Sequence, residues 1–385
     1  MKEELYMSFN IIIGADIVPT KSNFELFKSG DIVTLIGSDL VEILSQADYT
    51  IFNLEVPLTD NHNPIKKWGP HLIAPTETIV GLKKINPHFF SLSNNHILDQ
   101  GIPGLKSTVD LLENMGIDYS GVGENIHEAK KPFIKEIDEK KIGIYCCAEH
   151  EYSIAADNEP GANPFDPLES PDHIIELKKQ VDYLIVLYHG GKEHYRYPSP
   201  NLQKTCRKLV DKGADLVVCQ HSHCVGCEEK YKYGTIIYGQ GNFIFDDTEN
   251  EFWQTGLLIR LDDQFNISYI PIVKNKNKVR LAKYSVGQEI LDSFYKRSEE
   301  IKVPGFVKKS YALFAKNMEN HYLYRFSGKF GTNIFTRALN KITFYKFIKH
   351  FYPKRCKLSI ENVLSCEAHR ELAIELMRNT KNENF

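Results

Sequence analysis

No apolar run in the 385-residue chain approaches the ~20 residues of a membrane-spanning helix, which argues against an integral membrane protein. The opening MKEELYMSFNIII carries two early glutamates and only a short apolar run before Gly14 and Asp16. It therefore lacks the apolar core and small-residue cleavage site of a secretory signal. An excess of charge is missing too. Forty-seven Lys and Arg stand against 50 Asp and Glu, a net of −3, so no polyanion is expected to bind the chain as a whole. The eight cysteines do not form a disulfide framework: Cys146 and Cys147 are adjacent inside the apolar run IGIYCC, as buried thiols would be. Internal repeats and low-complexity segments are absent. The expectation is a cytoplasmic protein, peripheral at most to the inner face of a membrane.

What is present is material for a large core, with 42% hydrophobic residues. From residue 9 to about residue 273, short apolar runs such as FNIIIGAD, YTIFNLE, FFSLS, KIGIYCCA, DYLIVLYHGG, ADLVVCQHS and TIIYGQGNFIF alternate with helix-patterned stretches. The latter lie at 38–46, 76–85, 104–115, 171–180 and 199–212, the third followed by Gly116 as a plausible C-cap. Alternation of this kind predicts an α/β domain. A hairpin pattern at Tyr233 and Gly234 predicts mixed rather than purely parallel sheets. Near Ser285 the strand patterning stops, which predicts a domain over 1–284 and a helical appendage over 285–385.

Polar residues gather where the strands should end. Asp16 ends the first run, and Asn53 with Glu55 the second. Asn94, Asn95, His96 and Asp99 end the third, His189, Glu193 and His194 the fifth, and Gln220, His221 and His223 the sixth. In sheets flanked by helices, ligands bind beyond the carboxyl ends of the strands. Carboxylate, imidazole and amide donors meeting there suit one or two divalent ions of the Mn, Fe or Zn kind, acting on a phosphoryl or acyl group. His221 and His223, two residues apart, would lie on one side of an extended segment.

Five segments in order resemble the motifs of the bacterial capsule-synthesis CapA family, a branch of the calcineurin-like metallophosphoesterase superfamily. They are NLEVPLT, SLSNNHILDQG, HGGKEH, QHSHCV and YGQGNFIFD, with GVGENIHEAKKP connecting them. The resemblance implies a four-layer fold, two facing mixed sheets flanked by helices. It implies metal ligation by Asp16, Glu55 (the bridging carboxylate), Asn95, His189, His221 and His223. It casts a metal-bound hydroxide as nucleophile and His96 as the general acid that protonates the leaving group. Asp99 would orient His96, and Glu193 matches a family carboxylate, here grouped with the catalytic residues. The reaction implied is hydrolysis or transfer in the synthesis or processing of a capsule or poly-γ-glutamate-like polymer, with an anionic polymer or phosphorylated molecule as substrate. Three departures stand out: Val18 replaces a His usual two residues after the first Asp, GAD replaces Gly-Asp, and QHSH has lost the Gly of Gly-His-x-His.

Other readings compete. A non-catalytic assembly factor for a membrane-bound synthase would tolerate an incomplete first site. His221, His223, Cys224 and Cys227 have zinc-like ligand types, although four donors so close in sequence wrap a tetrahedron with difficulty. Between residues 302 and 357, 13 basic residues face one acidic residue, Glu319, with Phe335, Phe344, Tyr345, Phe347, Phe351 and Tyr352 interleaved. Such a segment either packs its aromatics on a core with its lysines solvated, or meets an anionic lipid surface or polymer. It contains no recognised nucleic-acid module, so no specific nucleic-acid partner is expected.

Overall fold

The computed structural model describes residues 9–245 and 249–379. Asp246, which closes the YGQGNFIFD segment, and the terminal residues from Thr380, where fraying was expected, lie outside the described residues. The chain divides into two compact units, at Lys308 and Lys309. This is downstream of the boundary expected after residue 284, for a physical reason. Helix Tyr284–Glu300 belongs to the first unit, burying Ile290 and Phe294 with Val225, Leu257 and Ala282. Its Arg297 donates to the carbonyls of Gly226 (2.7 Å) and Val225 (3.1 Å).

The first unit holds two large mixed sheets. One runs Lys278–Leu281, Ile267–Asn275, Thr255–Leu261, Ile11–Ile17, Tyr49–Leu54, Phe89–Ser91 and Asp118–Ser120, with Asn242–Ile244 also pairing the Ile11–Ile17 strand. The other runs Glu228–Tyr231, Gly234–Tyr238, Leu216–Gln220, Tyr183–His189, Lys140–Ala148 and Phe133–Ile137. The apolar runs are continuous because these strands are covered on both faces. Ile11, Ile13, Ile51 and Phe89 meet Ile144, Ile185, Leu187 and Val218 between the sheets. With the two-residue period of a strand, Ile12, Phe52 and Phe90 point the other way, onto a helical layer that supplies Phe27, Leu40, Leu82 and Leu112. On the opposite outer face, Leu184, Val186 and Val217 pack against Ile174, Leu177, Leu202 and Leu209 of helices Ser170–Lys178 and Pro200–Asp211. The second of these starts on a Ser199 cap, whose side chain accepts the Leu202 N–H at 3.0 Å, followed at once by Pro200. The four layers implied by the resemblance are present.

Parallel pairing aligns the strand ends that matter. Asp16 is level with Asn53, and His189 is level with both Ala148 and Gln220. The extra residue of GAD is absorbed by a register shift between Ile13 and Asp16. Gly14 is required there, because a Cβ would lie 2.1 Å from the Phe52 ring.

The second unit is helical, as the loss of strand patterning predicted, with helices Glu319–Phe326, Ile334–Ile342, Lys346–His350, Lys354–Ser365 and Glu367–Asn379. Its small core is Leu323, Ile348 and Tyr352. Among the described residues, no helix is long and apolar enough to cross a membrane.

Candidate metal centre

Asp16, Glu55, His189, His221 and His223 are all buried at the carboxyl ends of the parallel strands, and their donor atoms form two groups. Asp16, Glu55 and His189 are one, and Glu55, His221 and His223 the other; within each group the donors lie within 4.8 Å of one another. Glu55 belongs to both. The His189 and His221 ring centroids are 4.9 Å apart, and those of His221 and His223 are 5.9 Å apart. Asn95 joins them, its Oδ1 2.9 Å from His189 Nε2.

Hydrogen bonds aim these side chains. Asn53 Nδ2 donates to Asp16 Oδ1 (2.8 Å) and lies 3.2 Å from His189 Nδ1, so the other imidazole nitrogen faces Glu55, 3.3 Å away. The Nδ2 of Asn95 donates to Glu151 (3.0 Å), which turns its oxygen inward. Asn94 makes the turn: it donates to the Leu54 carbonyl (2.9 Å) and accepts the His96 N–H (3.1 Å). The adjacent amides therefore divide the work, Asn94 building the loop and Asn95 facing the centre.

His221 and His223 do not come together along an extended segment. They follow strand Leu216–Gln220 with φ of 76° and 53°, the left-handed region that side-chain-bearing residues seldom adopt. Such backbone persists only where its surroundings over-determine it, and it concentrates at functional sites.

Among the described residues, Asp16 Oδ2 and both oxygens of Glu55 are buried without a hydrogen-bond partner. Uncompensated buried carboxylate oxygens cost several kcal/mol unless they are paired or ligate metal. Oxygen and imidazole donors with unfilled valences suit a divalent cation, so the residues present fit one or two ions of the expected kind. The cysteine-containing alternative does not form: Cys227 packs in the outer core of the second sheet, and neither it nor Cys224 belongs to a donor group among the described residues.

Charge in the cluster is balanced pairwise. Burial alone would raise the pKa of Asp16, but the imidazoles of His223 (3.6 Å) and His189 outweigh it and hold the carboxyl below its usual range. Burial works against a charge on His189 and His223, yet Glu55 and Asp16 push both up, His223 to about 9. His221 goes the other way. Burial and the fields of His189 and His223 drive it well below the usual value, leaving the neutral form a metal needs.

These shifts predict opposite pH responses of the free and metal-loaded chain. His223 must lose its proton to ligate, so apparent metal affinity should climb by up to about tenfold per pH unit towards about 9. In the metal-free chain a folded-state pKa above the ordinary 6.5 stabilises. That contribution is full below 6.5 and disappears as pH rises through about 9. Denaturant titrations with chelator and with metal, across this window, should diverge as pH rises; parallel curves would contradict the assignment.

His96 and Asp99 pair with each other in the turn that follows strand Phe89–Ser91. His96 Nδ1 is 2.6 Å from Asp99 Oδ2, which leaves Nε2 outside that pairing. Glu193 is exposed, with Lys192 3.6 Å away; burial would raise its pKa, but the fields of Lys192 and His223 hold the carboxyl below its usual range. Two residues without a role in the sequence reading join the site. Lys67, almost fully buried, pairs with Asp99 and lies 3.3 Å from His96 Nδ1. Nothing in the loop NPIKKWGP marked it, since the pairing spans 32 residues. Asn242 accepts from or lies against His223 Nδ1 at 2.9 Å and is level with Asp16. The signal was QGN: Gly241 has φ of 77°, and a Cβ there would meet the Thr255 carbonyl at 2.5 Å. Val18, in the place of the usual His, is instead buried in the apolar core. Trp253 flanks His223 at 4.8 Å between ring centroids and donates to His194 Nε2 at 2.8 Å.

Comparison with known proteins supplies a family. Residues 19–247 match the family model described as bacterial capsule synthesis protein PGA_cap. The match begins just after Asp16, whose place in the centre rests on the geometry alone. The chain is 31% identical over 230 residues to the capsule biosynthesis protein CapA of Bacillus anthracis, covering 56% of each chain. It is 31% identical over 213 residues to the PGA biosynthesis protein CapA of Bacillus subtilis (strain 168), covering 53% of this chain and 55% of that one. A probable polyglutamine synthesis accessory protein of Mycobacterium tuberculosis is 27% identical over 213 residues, covering 52% and 56%. The chain thus spans about half the length of the curated relatives it matches. Among solved structures, a novel phosphatase from Mycoplasma pneumoniae superposes with a TM-score of 0.45 at 15% identity, covering 70% of this chain and 95% of that one.

Proposed function

The chain belongs to the bacterial capsule synthesis protein PGA_cap family, and on that premise we propose that it is a metal-dependent hydrolase or transferase. Its substrate is an anionic polymer of the capsule or poly-γ-glutamate kind, or a phosphorylated precursor, and the bond is a phosphoester or an amide. One observation carries this reading. Asp16 Oδ2 and both oxygens of Glu55 are buried without a hydrogen-bond partner beside three imidazoles. That arrangement is costly for a purely structural core and suited to a cation.

Asp16, Glu55 and His189 would hold one ion, Glu55, His221 and His223 a second, and Asn95 would add an amide oxygen. Bound there, a divalent ion supplies Lewis acidity to a phosphoryl or acyl oxygen and lowers the pKa of water. The chain's residues do the rest. Asp99 fixes the His96 ring through Nδ1, and Lys67 holds Asp99 in turn. With Nδ1–H donating to Asp99, His96 acts as an acid in its imidazolium form, and the second proton, on Nε2, passes to the departing oxygen or nitrogen and leaves the neutral ring. Trp253 covers one side of His223 and limits access of bulk water there.

A second reading, a non-catalytic assembly factor, is favoured by Val18 and by the word accessory in the name of the mycobacterial relative. Metal analysis of the purified chain, coupled to a screen of phosphomonoesters, phosphodiesters and γ-glutamyl amides, separates the two. Metal-dependent turnover of one class is expected. A chain that holds metal but turns over none of them supports the assembly role.

A further inference from the structure

The helix Ile334–Ile342 is amphipathic, but it is turned inside out. Its polar Thr336 and Asn340 face inward, Asn340 being fully buried and bonded to the Tyr324 hydroxyl and the Ile348 N–H. At about 100° per residue, Ile334, Phe335, Ala338, Leu339 and Ile342 fall within an arc of about 140° on the other side. That arc faces solvent: Ile334 is 75% exposed, Phe335 80% and Ile342 74%, and Phe344 just beyond the helix is 85% exposed. Scattered exposed apolar residues are ordinary, but a contiguous stripe next to a buried Asn marks a surface meant to be covered.

Charge says by what. Residues 333–347 contain Arg337, Lys341 and Lys346 and no acidic residue. The single acid of the surrounding segment, Glu319, is engaged by Lys349 (2.5 Å) and Lys357 (2.6 Å). On the helix, Arg337 and Lys341 flank the apolar arc on one side. An apolar stripe edged with cations matches an interface whose interior is hydrocarbon and whose rim is anionic. A second copy of the chain would bring the same cations against these and repel.

We propose that this face is a docking surface for an anionic lipid bilayer, lying in the headgroup region rather than spanning it. The inference is independent of whether the metal centre is catalytic, because it concerns the second unit only.

Sedimentation of the full chain with vesicles tests it. Binding is expected to vesicles of equal parts phosphatidylcholine and phosphatidylglycerol, and at least about tenfold weaker binding to phosphatidylcholine alone. Raising salt from about 0.1 M to about 1 M shortens the screening length from about 10 Å to about 3 Å and should weaken binding by a similar factor. The double variant Phe335→Ser/Ile342→Ser, at exposed positions, should lose at least about tenfold in binding. Lys341→Gln/Lys346→Gln should do the same while flattening the salt dependence. No binding to anionic vesicles at low salt overturns the proposal, as does undiminished binding of both variants. So does a dimer that the serine variant converts to monomer without any vesicle binding, since a second copy would then be the cover.

Discussion

Replacing Glu55 with glutamine should empty the metal centre and abolish turnover. Glu55 alone belongs to both donor groups, and both its oxygens are buried without hydrogen-bond partners. Glutamine keeps the volume, so the core around it is not opened, but it removes the negative charge and one of the two oxygens. The loss in metal affinity should exceed the about 10–100-fold typical of losing an outer partner of a ligand. A calorimetric titration should show both sites weakened together, whereas His221→Ala should weaken only the site shared with His223. Thermal stability offers a second readout. Metal at about one hundred times its dissociation constant stabilises the native state by about 2.7 kcal/mol. The Glu55→Gln chain should show almost none of that increment. Retention of full metal content would mean that Glu55 is not the shared ligand.

His96→Ala should give the opposite combination, full metal and little turnover. A positioned general acid contributes about 10²–10⁴-fold, and that is the expected loss in kcat on substrates with poor leaving groups. The loop should survive the change, because Asp99 still accepts the Leu72 N–H at 2.6 Å and still pairs with Lys67. Asn95 likewise keeps its bond to Glu151. Substrates whose leaving group needs no proton should be hydrolysed by the variant at nearly the normal rate. Equal metal loss in the His96 and His221 variants would make His96 a ligand and remove its role as acid.

The layers of the first unit were legible because they rest on local rules. Strands buried on both faces read as unbroken apolar runs, and helices read by their period. The donors were legible because strand ends lie next to them in sequence: Asp16, Asn95, His189, His221 and His223 all fall within three residues of a strand's last residue or, for Asn95, in the turn that follows it. What stayed hidden depends on tertiary partners. Lys67 lies in a loop with no pattern and becomes meaningful only when it meets Asp99. The His221–His223 turn was read as extended, since the chain there carries no Gly to announce a left-handed backbone. Helix Tyr284–Glu300 looked like the start of the appendage, because a sequence shows where strands stop and not which core a helix joins. The helix Ile334–Ile342 is the sharpest case. Its period shows an apolar face plainly, but only the burial of Thr336 and Asn340 reveals that this face points outward.

The most direct measurement is anomalous diffraction at the absorption edges of manganese, iron and zinc, on crystals of the full chain grown with metal. The proposed metal centre predicts scattering peaks bounded by Glu55, His221 and His223, by Asp16, Glu55 and His189, or by both, with Glu55 touching each ion present. Metal held elsewhere, or these five side chains free of metal at saturating concentrations, would contradict it.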